Sequence, residues 1–174
     1  MRVHQLMSQP ANTCRSSTDL ADVAMMMWNG DCGVVPVVEE SGRLLGVVTD
    51  RDICIALATR HLRAEETTAG SVMREQVFTV EPHQDVKEAM RTMARERIRR
   101  LPVLGEDGRV VGMLTTNDLI LSVRARERAG SDPTAAEVME MLQAICAHPQ
   151  STALAAEPGR TKARSGVRAA TTEG

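Results

Sequence analysis

Apolar residues recur at helical spacing in two places that stand 66 positions apart. Leu20, Val23, Ala24 and Met27 follow i, i+3, i+4, i+7, and so do Val86, Ala89, Met90 and Met93. Each set predicts an amphipathic helix, the first ending at Gly30. Behind the helices come Val34-Val35-Pro36-Val37-Val38 and Leu101-Pro102-Val103-Leu104, short apolar runs in which the proline suggests an edge strand or a bulge. Ser41-Gly42 and Asp107-Gly108 then predict tight turns into Leu44–Thr49 and Val110–Thr115, two hairpins. A further helix starts after each hairpin, at Asp52-Ile53 and Asp118-Leu119. Short strands are expected near Thr13 and near Val77–Val80.

The two series are one repeat. A shift of 66 brings Met7, Asp19 and Met27 onto Met73, Asp85 and Met93, and Gly46, Thr49 and Asp52 onto Gly112, Thr115 and Asp118. The division this predicts is a first unit over 1–60, a polar linker over 61–68 and a second unit over 69–128. After the break at Gly130-Ser131-Asp132-Pro133, a C-terminal amphipathic helix is expected over 132–148. Thr134 and Glu137 would form its capping box, and Val138, Met141, Leu142 and Ile145 its apolar stripe. Small and polar residues over 149–174 predict a flexible tail.

Composition narrows the function. Of 174 residues, 43% are hydrophobic and the 21 Lys and Arg nearly balance the 23 Asp and Glu, which argues against nucleic acid as partner. One Trp, one Phe and no Tyr rule out rows of stacking rings and aromatic cages. No run approaches the ~20 apolar residues of a membrane span, and the start of the chain lacks a signal-peptide core, so a cytoplasmic protein is expected. The four cysteines have no C-x-x-C spacing and read as buried free thiols, and neither they nor the four histidines show metal-ligand spacing. No nucleophile elbow, phosphate-loop Gly-Lys or paired catalytic carboxylates appear, which predicts a non-enzyme.

The repeated element with chemical potential is Gly46-Val47-Val48-Thr49-Asp50-Arg51-Asp52, matched by Gly112-Met113-Leu114-Thr115-Thr116-Asn117-Asp118. Each puts a hydroxyl and a carboxylate at a helix N-terminus. A structural role suffices for a single copy, with the threonine as N-cap and the aspartate satisfying backbone N–H groups. Arg51, within the first motif, is placed to pair with Asp50 or Asp52.

Seen twice, with Ile98-Arg99-Arg100-Leu101-Pro102-Val103 and Asp107-Gly108-Arg109-Val110-Val111-Gly112 between, the pattern resembles the cystathionine β-synthase (CBS) domain, two copies of which form a Bateman module. The resemblance covers about residues 3–123. It implies an α/β (α+β) fold of two β-α-β-β-α units packed with pseudo-twofold symmetry, leaving two clefts. It also implies a regulatory ligand, AMP, ADP or ATP, with S-adenosylmethionine as a further candidate and no cofactor required. Asp52 and Asp118 would hold ribose hydroxyls, and Thr49 and Thr115 would lie near ribose and phosphate. Adenine would sit by Thr13, Val34 and Pro36 in one copy and by Thr79, Arg100 and Pro102 in the other. Arg99 and Arg100 would meet phosphate or form a solvated basic face with Arg95 and Arg97. The first copy has Gly33 and Val34 there, where Arg51 would supply the phosphate contact unless it pairs with Asp50 or Asp52, so one occupied cleft, that of Asp118, is expected. Relatives pair into a disc of four domains, which implies a homodimer, with the C-terminal helix over the disc, a dimer mate or an unidentified protein partner. The leading expectation is a stand-alone sensor that signals by conformation or contact. The alternative is a ligand-free dimerisation scaffold.

Overall fold

The helices and hairpins of both repeats form as their pattern predicts, and each opening helix is capped by the aspartate that the repeat shares. The computed structural model describes residues 1–126 and 132–147. The expected tail over 149–174 and the end of the second unit at 127–128 lie outside the described residues. Helix α1, Leu20–Asn29, starts where Asp19 accepts the Asp22 N–H at 2.9 Å. Helix α3, Val86–Glu96, starts where Asp85 accepts the Lys87 N–H at 2.9 Å. Gly30 ends α1 at φ −91°, so the left-handed residue is Asp31 beyond it, and Arg97 takes that conformation after α3.

In the first repeat β1, Cys14–Arg15, runs parallel to β2, Val34–Val38, which pairs antiparallel with β3, Leu44–Thr49. Helix α2, Asp50–Arg60, follows. The second repeat has β4, Arg100–Leu104, antiparallel to β5, Val110–Thr115, and then α4, Thr116–Arg126. The strand expected near Val77–Val80 is reduced to one parallel bridge between Val80 and Val103. Pro82 stands where the first repeat has Ser16, and without an N–H it cannot extend the ladder. The prolines mark bulges: registers shift between Val37 and Val38 and between Val103 and Leu104. Gly42 and Gly108 close the hairpins at φ +87° and +77°, conformations that cost glycine little.

The two apolar cores exchange their openings. Val3, fully buried, packs in the core of the second repeat, where Met1, Leu6 and Met7 join it. Ala69, its counterpart 66 residues on, packs in the core of the first with Val72 and Met73. Backbone bonds fix the exchange: Ser8 and Met113 trade N–H and C=O at 2.9 and 3.0 Å, and Arg74 and Val47 do so at 2.9 and 3.0 Å. These crossings explain the glycine that opens each motif. A Cβ on Gly46 would lie 2.6 Å from the Arg74 carbonyl oxygen, and one on Gly112 would lie 2.9 Å from that of Ser8. The hairpins meet about a pseudo-twofold axis, with Arg43 opposite Arg109 and reciprocal bonds from Leu44 N–H to Gly108 and from Val110 N–H to Gly42.

Helix α5, Ala135–Cys146, has the expected capping box of Thr134 and Glu137. It packs on α3 and α4 of its own chain, burying Val138, Met141 and Ile145 in the second core. Lys87 on α3 reaches Glu137 at 2.8 Å and Asp132 at 3.1 Å, and the N-terminal ammonium meets Asp132 at 2.8 Å. The hydrogen bond from Lys87, then those from Thr134, pull the Glu137 carboxyl down to about 2. A carboxylate depressed on folding stabilises above its unfolded pKa and loses that contribution as pH falls through the folded one. The seating of α5 is therefore expected to weaken as pH drops from about 4.5 to about 2. The effect is small because the pair is exposed. Thermal midpoints over that range should fall less steeply in Glu137→Gln; identical acid slopes would show that the pair does not hold the helix.

Candidate functional site

Each motif performs its structural role with one carboxylate oxygen and turns the other outward. At the start of α2, Asp52 Oδ2 accepts the Thr49 N–H at 3.1 Å and the Thr49 hydroxyl at 2.6 Å, while the Asp52 N–H donates to Thr49 Oγ1 at 3.1 Å. At the start of α4, Asp118 Oδ2 accepts the same two donors of Thr115 at 2.8 and 2.7 Å, and the Asp118 N–H returns one at 3.2 Å. Capping thus uses Oδ2 alone. Oδ1 is the oxygen with chemistry to spare.

What meets Oδ1 differs between the repeats. Asp118 Oδ1 accepts one hydrogen bond, from the Ser8 hydroxyl at 3.0 Å. Asp52 Oδ1 accepts Nε and Nη2 of Arg74 at 3.0 and 2.6 Å. Ser8 and Arg74 are equivalent positions, delivered by the exchanged segments. Burial raises the Asp52 pKa, but hydrogen bonds from Arg74 and Thr49 outweigh it and hold the carboxyl below its usual range. Arg74 therefore closes one ribose-type acceptor with a full charge, while a neutral, rotatable hydroxyl tops the other.

Two clefts related by the pseudo-symmetry lie beside these motifs: Asp118 lines one directly, whereas Asp52 stands behind Arg74, which lines the other. The Asp118 cleft, about 580 Å³, is formed by Ser8 and Pro10–Asn12 from the exchanged segment, by the end of α1 through Val34, by Arg99 and Arg100, and by Met113 and Thr115–Asp118. Leu142 and Cys146 of α5 complete it. The Asp52 cleft, about 590 Å³, brings Thr49–Arg51 together with Arg74, Val77, Phe78 and the end of α3 through Arg100. Both volumes suit a nucleotide-sized molecule.

The expected site residues divide accordingly. Thr115, Asp118, Val34, Arg99 and Arg100 converge on the first cleft; Thr49, Arg51 and Pro102 join Val34, Arg99 and Arg100 at the second, where Asp52 is locked to Arg74. Thr13 and Pro36 line neither cleft, Pro36 being buried in β2, and Thr79 lines a separate groove with Glu39 and Arg43. Arg51 forms no ion pair among the described residues; Asp52 takes Arg74 instead. Ser8, Arg74 and Asp31 escaped the sequence reading, and Arg97, Leu142 and Cys146 were not expected at a cleft. The repeat offset that aligns Ser8 with Arg74 was the signal that could have found that pair. The cysteines also differ from expectation: Cys14 is buried, its thiol pushed up to about 11 by desolvation, whereas Cys54 and Cys146 are exposed.

The CBS domain family model matches residues 3–59 and 69–125, one match for each repeat. The chain belongs to the CBS domain family. This CBS pair is 33% identical over 132 residues to the uncharacterized protein YlbB of Bacillus subtilis, covering 75% of this chain and 87% of that one. It is 33% identical over 100 residues to hypoxic response protein 1 of Mycobacterium tuberculosis, covering 58% of this chain and 69% of that one. Its fold is similar to the CBS domain pair of protein MJ0100, crystallised in complex with 5′-methylthioadenosine and S-adenosyl-L-methionine, with a TM-score of 0.65 and 26% identity. That likeness covers 72% of this chain and 98% of the other. No described helix is long and apolar enough to cross a membrane.

Proposed function

We propose that this CBS pair is a non-catalytic regulatory module of the cytoplasm that binds an adenosine compound in the Asp118 cleft. The candidates are AMP, ADP, ATP and S-adenosylmethionine. The observation that carries the reading is Asp118 Oδ1, an ionisable acceptor facing a nucleotide-sized cleft and covered by one serine hydroxyl. A carboxylate oxygen can accept from vicinal ribose hydroxyls, and Val34, Met113 and Leu142 offer aliphatic walls for a base. Arg99 and Arg100 line the same cleft and would meet the phosphate of a nucleotide. The adenosine compounds held by the similar pair of protein MJ0100 support the ligand class.

The signal would pass through α5. Its last turn lines the cleft with Leu142 and Cys146, while Val138, Met141 and Ile145 on the neighbouring face anchor it in the core. A ligand that prefers one seating of this helix shifts the population towards it, by ~2.7 kcal/mol at about 100 times the dissociation constant. A thermal-unfolding series with the four candidates tests the reading: at least one should raise the midpoint. No rise with any of them at millimolar concentration removes it.

A scaffold role is the second reading, favoured by Met25, Trp28 and Ile55, which stand 57%, 83% and 54% exposed on α1 and α2. In the second repeat α5 packs on α3 and α4, yet Leu121 on α4, the equivalent of Ile55, is itself 62% exposed. A homodimer formed through α1 and α2 would bury these side chains.

A further inference from the structure

The repeats diverge most where their charges line the clefts. Position for position, Arg51 corresponds to Asn117, Arg74 to Ser8, Arg97 to Asp31 and Arg100 to Val34. All four arginines line the Asp52 cleft, with Arg99 as a fifth. The four counterparts line the Asp118 cleft, and three of them are neutral and one acidic. In a chain of net charge −2 this is a local concentration of positive charge, not a consequence of overall basicity. Against the five arginines stand Asp50 and Glu96 in the lining, and Asp52 behind Arg74. Glu96 is already paired with Arg95 at 2.6 Å. Among the described residues none of Arg51, Arg97, Arg99 and Arg100 forms an ion pair.

We propose that the Asp52 cleft is an oligophosphate site, which grips two or more linked phosphates with its arginines and does not hold a ribose through Asp52. The guanidinium fork matches phosphate oxygens bidentately, and several forks around one concavity favour an anion carrying several charges. Asp52 cannot accept ribose hydroxyls while Nε and Nη2 of Arg74 occupy Oδ1. The same bond holds the Arg74 guanidinium at the cleft wall, with its Nη1 edge not used on Asp52. Phe78 lines this cleft as well, so the phosphates are those of a free oligophosphate or the tail of an organic ligand whose apolar part rests there. Arg99 and Arg100 line the Asp118 cleft as well, so the inference rests on Arg51, Arg74 and Arg97, which line the Asp52 cleft alone.

Calorimetric titration of the full chain in an Asp118→Ala background tests the site with three probes: inorganic tripolyphosphate, ATP and adenosine. Tripolyphosphate should bind, and the double substitution Arg51→Gln, Arg97→Gln at two exposed positions should raise its Kd about tenfold or more. Asp52→Asn retains an acceptor for Thr49 and releases Arg74, so it should tighten tripolyphosphate several-fold. ATP binding tighter than tripolyphosphate assigns an organic ligand; equal affinity assigns an inorganic one. Loss of ATP affinity in Asp52→Asn with tripolyphosphate affinity undiminished would mean that the carboxylate grips the ribose and would overturn the proposal. So would the absence of tripolyphosphate binding, or binding indifferent to the double arginine substitution. Adenosine binding that requires Asp52 would overturn it equally.

Discussion

Replacing Asp118 with alanine is expected to abolish the thermal stabilisation that an adenosine compound confers, whereas Asp52→Ala should leave most of it. The motifs have the same sequence frame and nearly the same capping geometry, so the difference lies in Oδ1. Asp118 presents that oxygen to the cleft under a single hydroxyl of Ser8, which a ribose hydroxyl can replace like for like. Asp52 presents it to two nitrogens of Arg74, and a ribose would have to break a charge-assisted pair to reach it. Hydrogen bonds to a charged group contribute ~1.5–3 kcal/mol each, so losing the Asp118 acceptor should raise Kd on the order of tenfold to a hundredfold. Alanine also removes an N-terminal cap bond, typically ~1 kcal/mol of stability, so each variant is compared with its own ligand-free midpoint. Asp118→Asn, which keeps an acceptor for Thr115, should retain the fold and still lose affinity. A larger loss from Asp52→Ala than from Asp118→Ala would place the nucleoside in the other cleft.

Truncation before Ser131 should produce the largest loss of stability. It removes α5 and with it Val138, Met141 and Ile145, each less than a tenth exposed. Full burial of such side chains is worth ~1.5–3 kcal/mol apiece, so the second repeat should lose on the order of 5 kcal/mol. That is comparable with the whole stability of many domains, ~5–15 kcal/mol. Urea unfolding followed by circular dichroism should show a much lower midpoint, and an apolar dye should bind the uncovered faces of α3 and α4. Because α5 is seated on its own chain, the number of copies per particle in solution should not change if copies pair through α1 and α2. A truncated chain as stable as the full one would refute the assigned packing. One that falls from dimer to monomer would make α5 the essential bond between copies.

The acid response and the two clefts show how differently local and distant determinants can be read. The capping box of α5 was legible because Thr134 and Glu137 are three residues apart and the chemistry of a helix end is local. The ion pairs from Lys87 and the N-terminal ammonium to that same turn were not, since they join residues far apart in the chain. Arg51 was the nearest base to Asp52 in sequence, yet the carboxylate chose Arg74, which the exchanged segment brings beside it. Thr13, Pro36 and Thr79 were carried to the pockets by the resemblance to CBS domains; Asn12 and Phe78, next to two of them, line the described clefts.

By itself, the sequence determined everything governed by period and by short spacing: the repeat, the helices and hairpins, the capping motifs and the family. Hydrophobic alternation, turn glycines and N-cap residues act over a few positions, so each can be read where it stands. The tertiary structure decided what depends on which segments cross. It exchanged residues 1–8 and 67–74 between the cores, and so set Ser8 over Asp118 and Arg74 over Asp52. That crossing turned two nearly identical motifs into two unlike clefts, because a neutral hydroxyl leaves an acceptor free for a ligand and a guanidinium does not.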